Sequence, residues 1–439
     1  MRIALLSLGV LAPSVTAESK CFEHPKPLEK GFIKEVPCGY ESEPQPPKFK
    51  LKSSVVAGTS STPNATNKNM IQTSLSCTVS QDICNLVSNT FNTAGIYLSN
   101  VIQFNTPVTV QASFYSFCNV SNDCSQTQVT LGQAAAARSV ALRDNDGQER
   151  LYPQSLVKQI KLTPMPRVSS FDIVAEFNSD ANFWFPGSGG TPSRTQVDFL
   201  LVVSHELLHG LGFASAYNDY FTDDIPQALT PNPELGRSSS GQLAVTGFYE
   251  NVFDRHVSLL GTDMTLSNFT AQFNEFASKS KVYRSSNELI AAFQSSPQYS
   301  LGQRVLKMAT TPGGMGYLTG KQTPTTPNGT LILETSLNPF AVGSSISHVA
   351  YKPYSNTEEF LMRYEMAPGS SLSSLVQGLG SWGSEPYGPA VVAVLEKMGY
   401  PTNEHPDPNI IASYPNGSKS LFDVPMLLSL VLVLFSTCH

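Results

Sequence analysis

Charge is scarce in this 439-residue chain. Only 14% of the residues are Asp, Glu, Lys or Arg, and 28 basic against 34 acidic residues leave a formal net charge of −6. No basic run offers an electrostatic footprint for a polyanion, so nucleic acid is excluded as a partner. Long apolar stretches are also missing: the longest lie at the two ends, and neither reaches the ~20 residues with which a helix crosses a bilayer. What is present, 41% hydrophobic and 10% aromatic residues, reads as a folded globular protein and not as a disordered, collagenous or coiled-coil one. By length alone the chain holds roughly three average domains.

The ends point to export. Residues 1–17 carry Arg2, an apolar run from Ile3 to Leu11 and then Val15-Thr16-Ala17, the small-residue pattern of a cleaved signal peptide, so the mature chain is expected to start at Glu18. The C-terminal run Val424 to Phe435 is too short to span a membrane as a helix. Asn416, Gly417 and Ser418 precede it, then a polar spacer from Lys419 to Asp423, an order that suits a GPI-anchor signal attached at Asn416. Cys438 would leave with that tail, and the other six cysteines, Cys21, Cys38, Cys77, Cys84, Cys118 and Cys124, form an even set that reads as disulfides. Fifteen pairings are open and pairing of neighbours is the simplest. Cys38, in VPCGY, also admits a second reading, a pro-segment thiolate that blocks a metal until it is cleaved away. Sequons at Asn64, Asn119, Asn268, Asn328 and Asn416 suit a secreted surface.

Residues 18–70 are rich in Pro, Ser, Thr, Asn and Lys and read as a linker or pro-segment. Helical spacing runs from Ser80 to about Val101, and alternation predicts strands over Pro107 to Phe117 and Phe171 to Phe177. Thr195 with Asp198 resembles a capping box for a helix over Gln196 to Leu211, apolar on nearly all sides and stopped by Gly210 and Gly212; it should be buried. Another helical stretch lies near 287–295, and Pro389 to Met398 reads as a last helix closed by Gly399.

The buried helix carries the chemistry. His205, Glu206 and His209 form HExxH, which puts two imidazoles one turn apart on a helix face where both can bind one Zn²⁺. Glu206 beside them can reach a metal-bound water, take its proton as general base and pass it to a leaving amine. With histidine this rare, 7 in the chain, a chance match is expected only roughly 0.006 times. Two structural histidines on a core helix are the bland alternative. Zinc needs a third protein ligand and an open fourth position.

HELLHGLGF, with Gly212 three residues after His209, resembles the metzincin pattern HExxHxxG, whose Gly turns the chain toward a third His. Ser215 stands where most metzincins carry that His, and Ser is a poor zinc ligand. The leishmanolysin-like metallopeptidases have a long insertion before the third His, and GSSISHVAYKPYSNTEEFLMRYEMAP and GSEPYGPAVVAVLEKMGY are similar to that family's third-ligand, Met-turn and closing-helix segments. The resemblance covers residues 195–213 and 343–402. It implies His348 as third ligand and Met362 as the Met-turn floor beneath the metal, with Met366 the fallback, and it lets Tyr364 donate to a tetrahedral oxyanion. Two other schemes stay open for the third ligand: His256, or Glu250 with Asp254 as an ExxxD pair of the gluzincin kind.

The expected architecture is therefore α+β: a metzincin-like two-subdomain catalytic domain with a mixed sheet, a buried zinc-binding helix and a large insertion between the second and third ligands. Its expected parts are a signal peptide (1–17), the linker or pro-segment (18–70), an N-terminal catalytic subdomain with the zinc helix (71–215), the insertion (216–340), a C-terminal subdomain with the third ligand and Met-turn (341–412), and a GPI-signal-like tail (413–439). The expected activity is a zinc-dependent metalloendopeptidase acting on protein or peptide substrates outside the cell, touching the membrane only through a lipid anchor. If Phe171 to Phe177 is the edge strand above the cleft, an extended substrate could pair with it. The rivals are a gluzincin-type or non-peptide amide hydrolase, and a non-catalytic cell-surface binding protein that keeps zinc for structure.

Overall fold

A computed structural model describes residues 19–23, 31–39, 69–121, 123–124, 129–222, 225–279, 281–380, 386–407 and 412–415. Residues 1–17, expected to be a signal peptide, Asn64, Asn416 and the C-terminal apolar run lie outside the described residues. The fold is α+β with mixed sheets. Four strands form the first sheet in the order Ile71–Cys77, Val108–Tyr115, Ile173–Asn178, Gly132–Ala136; the first three are parallel and the last is antiparallel. Val108, Val110, Ala112 and Phe114 alternate inward along the second strand, so one face is core. The long helix Gln81–Val101 makes the crossover between the first two strands and buries Cys84, Val87, Phe91, Ala94 and Leu98, the stripe its spacing predicts.

Helix Phe199–Gly210 packs against both that long helix and the sheet. Every residue in it is buried, as its all-round apolar sequence requires. Phe199 anchors it in an aromatic cluster, with centroids 4.9 Å from Phe183, 5.3 Å from Phe177 and 5.6 Å from Phe114. Truncating a residue so enclosed typically costs about 3–5 kcal/mol.

The second sheet has seven strands. Six run in the order Asn232–Arg237, Leu243–Asn251, Glu149–Pro153, Ser139–Asp144, Lys20–Glu23, Lys34–Val36, and Ala412–Ser413 also pairs with Ser139–Asp144. Part of the Pro-rich N-terminal stretch is thus folded: Cys21 and Phe22 are buried in the sheet, and a disulfide joins Cys21 to Cys38. That bond removes the free thiolate that the metal-blocking reading of Cys38 needs. Cys77–Cys84 and Cys118–Cys124 complete a neighbour pairing, and three disulfides fit an extracellular or secretory-pathway protein. Among the described residues no helix is long and apolar enough to cross a membrane.

Within residues 216–340, Asn232–Arg237 and Leu243–Asn251 join the second sheet, and the rest forms a further layer: helices Leu266–Ala277, Ser286–Gln294 and Pro297–Ala309, and an antiparallel sheet of Val257–Leu259, Met315–Leu318 and Thr330–Ile332. Arg150, fully buried, ties this layer to the second sheet. Its guanidinium binds Asp144 (2.6 Å), Asp146 (2.8 Å), Ser267 (3.0 Å) and Glu250. Removing one partner from such a buried network strands a charge in the interior.

Candidate metal centre

The histidine helix begins later than its sequence suggests. Asp198, and not Thr195, is the N-cap: one carboxylate oxygen accepts from the N–H of Leu200 (2.9 Å) and the other from the N–H of Leu372 (2.7 Å). At the far end Gly212 takes φ +101, a left-handed conformation that favours glycine, and turns the chain back. Gly210 is needed for closeness instead, since a Cβ there would stand 2.4 Å from Ile173 on the sheet.

The turn at Gly212 brings the Phe213 carbonyl under His209, whose Nδ1 lies 2.8 Å from it. The Nδ1 of His205 lies 2.7 Å from the Leu361 carbonyl, and the Nδ1 of His348 lies 3.0 Å from the Ser344 carbonyl. A carbonyl oxygen only accepts, so all three Nδ1 atoms carry the proton and all three Nε2 atoms are left as bare lone pairs. Those Nε2 atoms face one another: His205 to His209 3.0 Å, His205 to His348 3.1 Å, His209 to His348 3.1 Å. Burial holds the rings neutral, pushing His205 down to about 3, His209 down to about 4 and His348 well below the usual histidine value. No proton is therefore available at neutral pH to bridge three converging lone pairs.

A cation would resolve that repulsion. Three nitrogens bound to one tetrahedral zinc at ~2.0–2.1 Å stand roughly 3.3–3.4 Å apart, within a few tenths of an ångström of the triangle seen here. Each ring's other nitrogen already has a carbonyl partner that fixes its tautomer, as is found for metal-ligating histidines. The three side chains are 4%, 9% and 6% exposed for His205, His209 and His348, so the group is buried and could hold a metal ion.

Glu206 stands beside the cluster, 7% exposed, and burial pushes its carboxyl up to about 8. The backbone N–H of Ala134, on strand Gly132–Ala136, opposes that rise by favouring the carboxylate. That strand is the edge of the four-stranded sheet, whereas Ile173–Asn178 is paired on both sides, so the expectation of an edge at Phe171–Phe177 is corrected. The ladder explains the direction of the Ala134 amide. Asn178 donates to the Leu131 carbonyl (3.0 Å) and Ala137 to the Asp172 carbonyl (2.9 Å), so odd-numbered residues pair inward, and Gly132, Ala134 and Ala136 turn their backbone groups to the free edge.

Turn Phe360–Met362 lies at the same centre. Met362 is fully buried and its carbonyl accepts from the N–H of Val349 (2.9 Å), one residue after His348, while Leu361 holds His205. Met366 is partly buried against the core. Tyr364 packs its ring on Tyr351, 5.4 Å between centroids, and is partly exposed. The structure does not bring the other two ligand candidates to His205 and His209. Glu250 is spent on Arg150, Ser267 and Thr270. His256 ends a short 3-10 turn beside Tyr317, 5.8 Å between ring centroids, where burial holds its pKa down at about 3. Asp254 binds the backbone N–H groups of Ala216 and Asn251 and the Ser215 hydroxyl, and its burial pushes it up to about 7.

Sequence reasoning missed Ala134, the three carbonyls and Glu334. The backbone N–H of Glu334 donates to the His348 carbonyl (2.8 Å) and its carbonyl accepts from Ile346 (2.8 Å). Ile346 itself sits at φ +55, rare for a β-branched residue, with its side chain fully buried. Backbone carbonyls carry no residue signature, and Ala134 lies in GQAAA, which has no β-branched residue to mark a strand. Of the sequons, Asn119, Asn268 and Asn328 are exposed.

No solved structure matches the chain. A Schizosaccharomyces pombe (strain 972 / ATCC 24843) protein described as uncharacterized protein PB7E8.01 is 28% identical over 364 residues, 76% of this chain. The match covers 63% of that relative, so this chain spans less than two thirds of its length. The family model described as SPBPB7E8-like matches residues 13–424, a span that takes in HExxH, His348 and Met362, and the chain belongs to that family.

Proposed function

We propose that the protein is a zinc-dependent metalloendopeptidase of the leishmanolysin-like metzincin kind, exported and held on the outer face of the cell membrane by a GPI anchor. The observation that carries this reading is the convergence of three unprotonated Nε2 atoms beside a buried glutamate near the outermost strand of the four-stranded sheet. His205, His209 and His348 would hold zinc. Bound there, zinc supplies a Lewis acid for the scissile carbonyl and lowers the pKa of water from 15.7 to about 7.

The chain's own residues do the rest. Glu206 takes the proton of the attacking water on its carboxylate and hands it to the leaving amide nitrogen. Its burial favours holding that proton, and the neighbouring cation favours the ionised form that must accept it. The Ala134 N–H favours the carboxylate form, and the outward backbone groups of Gly132, Ala134 and Ala136 suit an extended peptide lying along the edge. Such main-chain recognition fits an endopeptidase. Leu361, Phe213 and Ser344 keep the three imidazoles in the ligating tautomer.

The test is cleavage of unfolded casein by the secreted protein. Cleavage that stops on chelation, returns with zinc and is lost in a zinc-loaded Glu206→Gln variant is the expected result. A zinc-loaded wild type that leaves casein and a mixed peptide library intact would refute the reading, and so would a Glu206→Gln variant that cuts at the wild-type rate.

A further inference from the structure

Ser215 stands three residues after Gly212, where a close-spaced third ligand would be, and it is tied on two sides. Its hydroxyl donates to Asp254 Oδ1 (2.6 Å) and accepts from the N–H of Tyr217 (3.1 Å). Asp254 Oδ2 accepts from the N–H groups of Ala216 (2.9 Å) and Asn251 (3.0 Å), and Asn251 Nδ2 donates to the Ala214 carbonyl (3.1 Å). The segment leaving the histidine helix is thereby pinned. On its other side the backbone N–H of Ser215 donates to Ser347 Oγ (3.1 Å), the residue immediately before His348.

That last bond spans 132 residues of chain. His205 and His209 share one helix, whereas His348 returns from a distant loop, and loop closure has to be repaid by contacts at the meeting point. Ser347 is 7% exposed and Asp254 fully buried, whereas Ser215 is only partly buried, so water can take up its N–H when the link is broken and the bond fixes position more than it adds stability. Ile346, in its sparsely populated backbone conformation, persists only where neighbours over-determine the loop. We propose that Asp254, Ser215 and Ser347 form a positioning relay that fixes His348 against the two helix ligands, so that the residue at the close-spaced position serves the metal through the loop and not by ligation. The relay rests on the reading of the three histidines as a zinc site.

Zinc release to a chromogenic chelator, measured on the full chain, tests it. Ser347→Ala removes the acceptor and should release zinc about tenfold faster than wild type, the size of effect typical for groups that orient metal ligands. Ser347→Thr keeps an Oγ acceptor and should release zinc near the wild-type rate. The metal-free melting temperatures of both should match wild type, a result that separates a positioning role from general loosening. Ser215→Ala added to Ser347→Ala should bring little further loss, because both act through one chain of bonds. Wild-type release from Ser347→Ala, or equally fast release from Ser347→Thr, overturns the relay and leaves the zinc site standing. A wild type that binds no zinc overturns both.

Discussion

Glu206→Gln gives a stability prediction whose sign follows from burial. The side chain keeps its shape but loses the charge. In the folded, metal-free protein burial raises the Glu206 carboxyl from 4.5 to about 8, so the folded state holds a proton that the unfolded chain has released over that interval. Its stability contribution is thus intact below pH 4.5 and is lost as pH rises toward 8. At pH 7 the loss amounts to about 3 kcal/mol, and Gln escapes it. With an unfolding entropy of about 2.1 cal/mol/K per residue over some 400 residues, the variant should melt roughly 3–4 °C above wild type. Scanning calorimetry of both proteins after chelation, at pH 4, 7 and 8, checks this: the gap should be absent at pH 4, present at pH 7 and smaller again when zinc is added, because the cation favours the carboxylate. A gap of the opposite sign, or one that ignores pH, would refute the reasoning.

Two further outcomes follow from the same geometry. Glu250→Gln should keep its zinc while lowering stability by about 3–5 kcal/mol in urea unfolding, since it leaves Arg150 short of a buried partner; loss of zinc would return Glu250 to the ligand set. Ala134→Pro removes an outward N–H on the proposed substrate edge but no bond to the inner strand, so zinc content should stay and cleavage should fall at least about tenfold, the loss of about one main-chain hydrogen bond to substrate; unchanged cleavage would remove the edge strand from the mechanism.

The parts of this centre legible in the sequence are those with strong periodicity or rare residues. Helix Gln81–Val101, strand Val108–Tyr115 and helix Pro389–Met398 appear within a residue or two of their predicted bounds. HExxH needs only a helix to converge, and His348 was reachable through the family resemblance around Leu361-Met362. The second sheet was not legible, because strands such as Glu149–Pro153 and Asn232–Arg237 are short, contain Pro and gain stability from partners far away in sequence. Residues 20–23 and 34–36 were hidden by their Pro-rich surroundings; a disulfide and pairing to Ser139–Asp144 order them. Cap placement failed for a local reason: Thr195 bonds Asn182 before the helix begins, which leaves Asp198 to cap it.

Zinc content per chain, by elemental mass spectrometry, tests the central claim most directly when wild type is compared with His348→Ala and His256→Ala. Close to one zinc is expected in wild type and in His256→Ala, and a large loss in His348→Ala. Full retention in His348→Ala, or no zinc in the wild type, would contradict it.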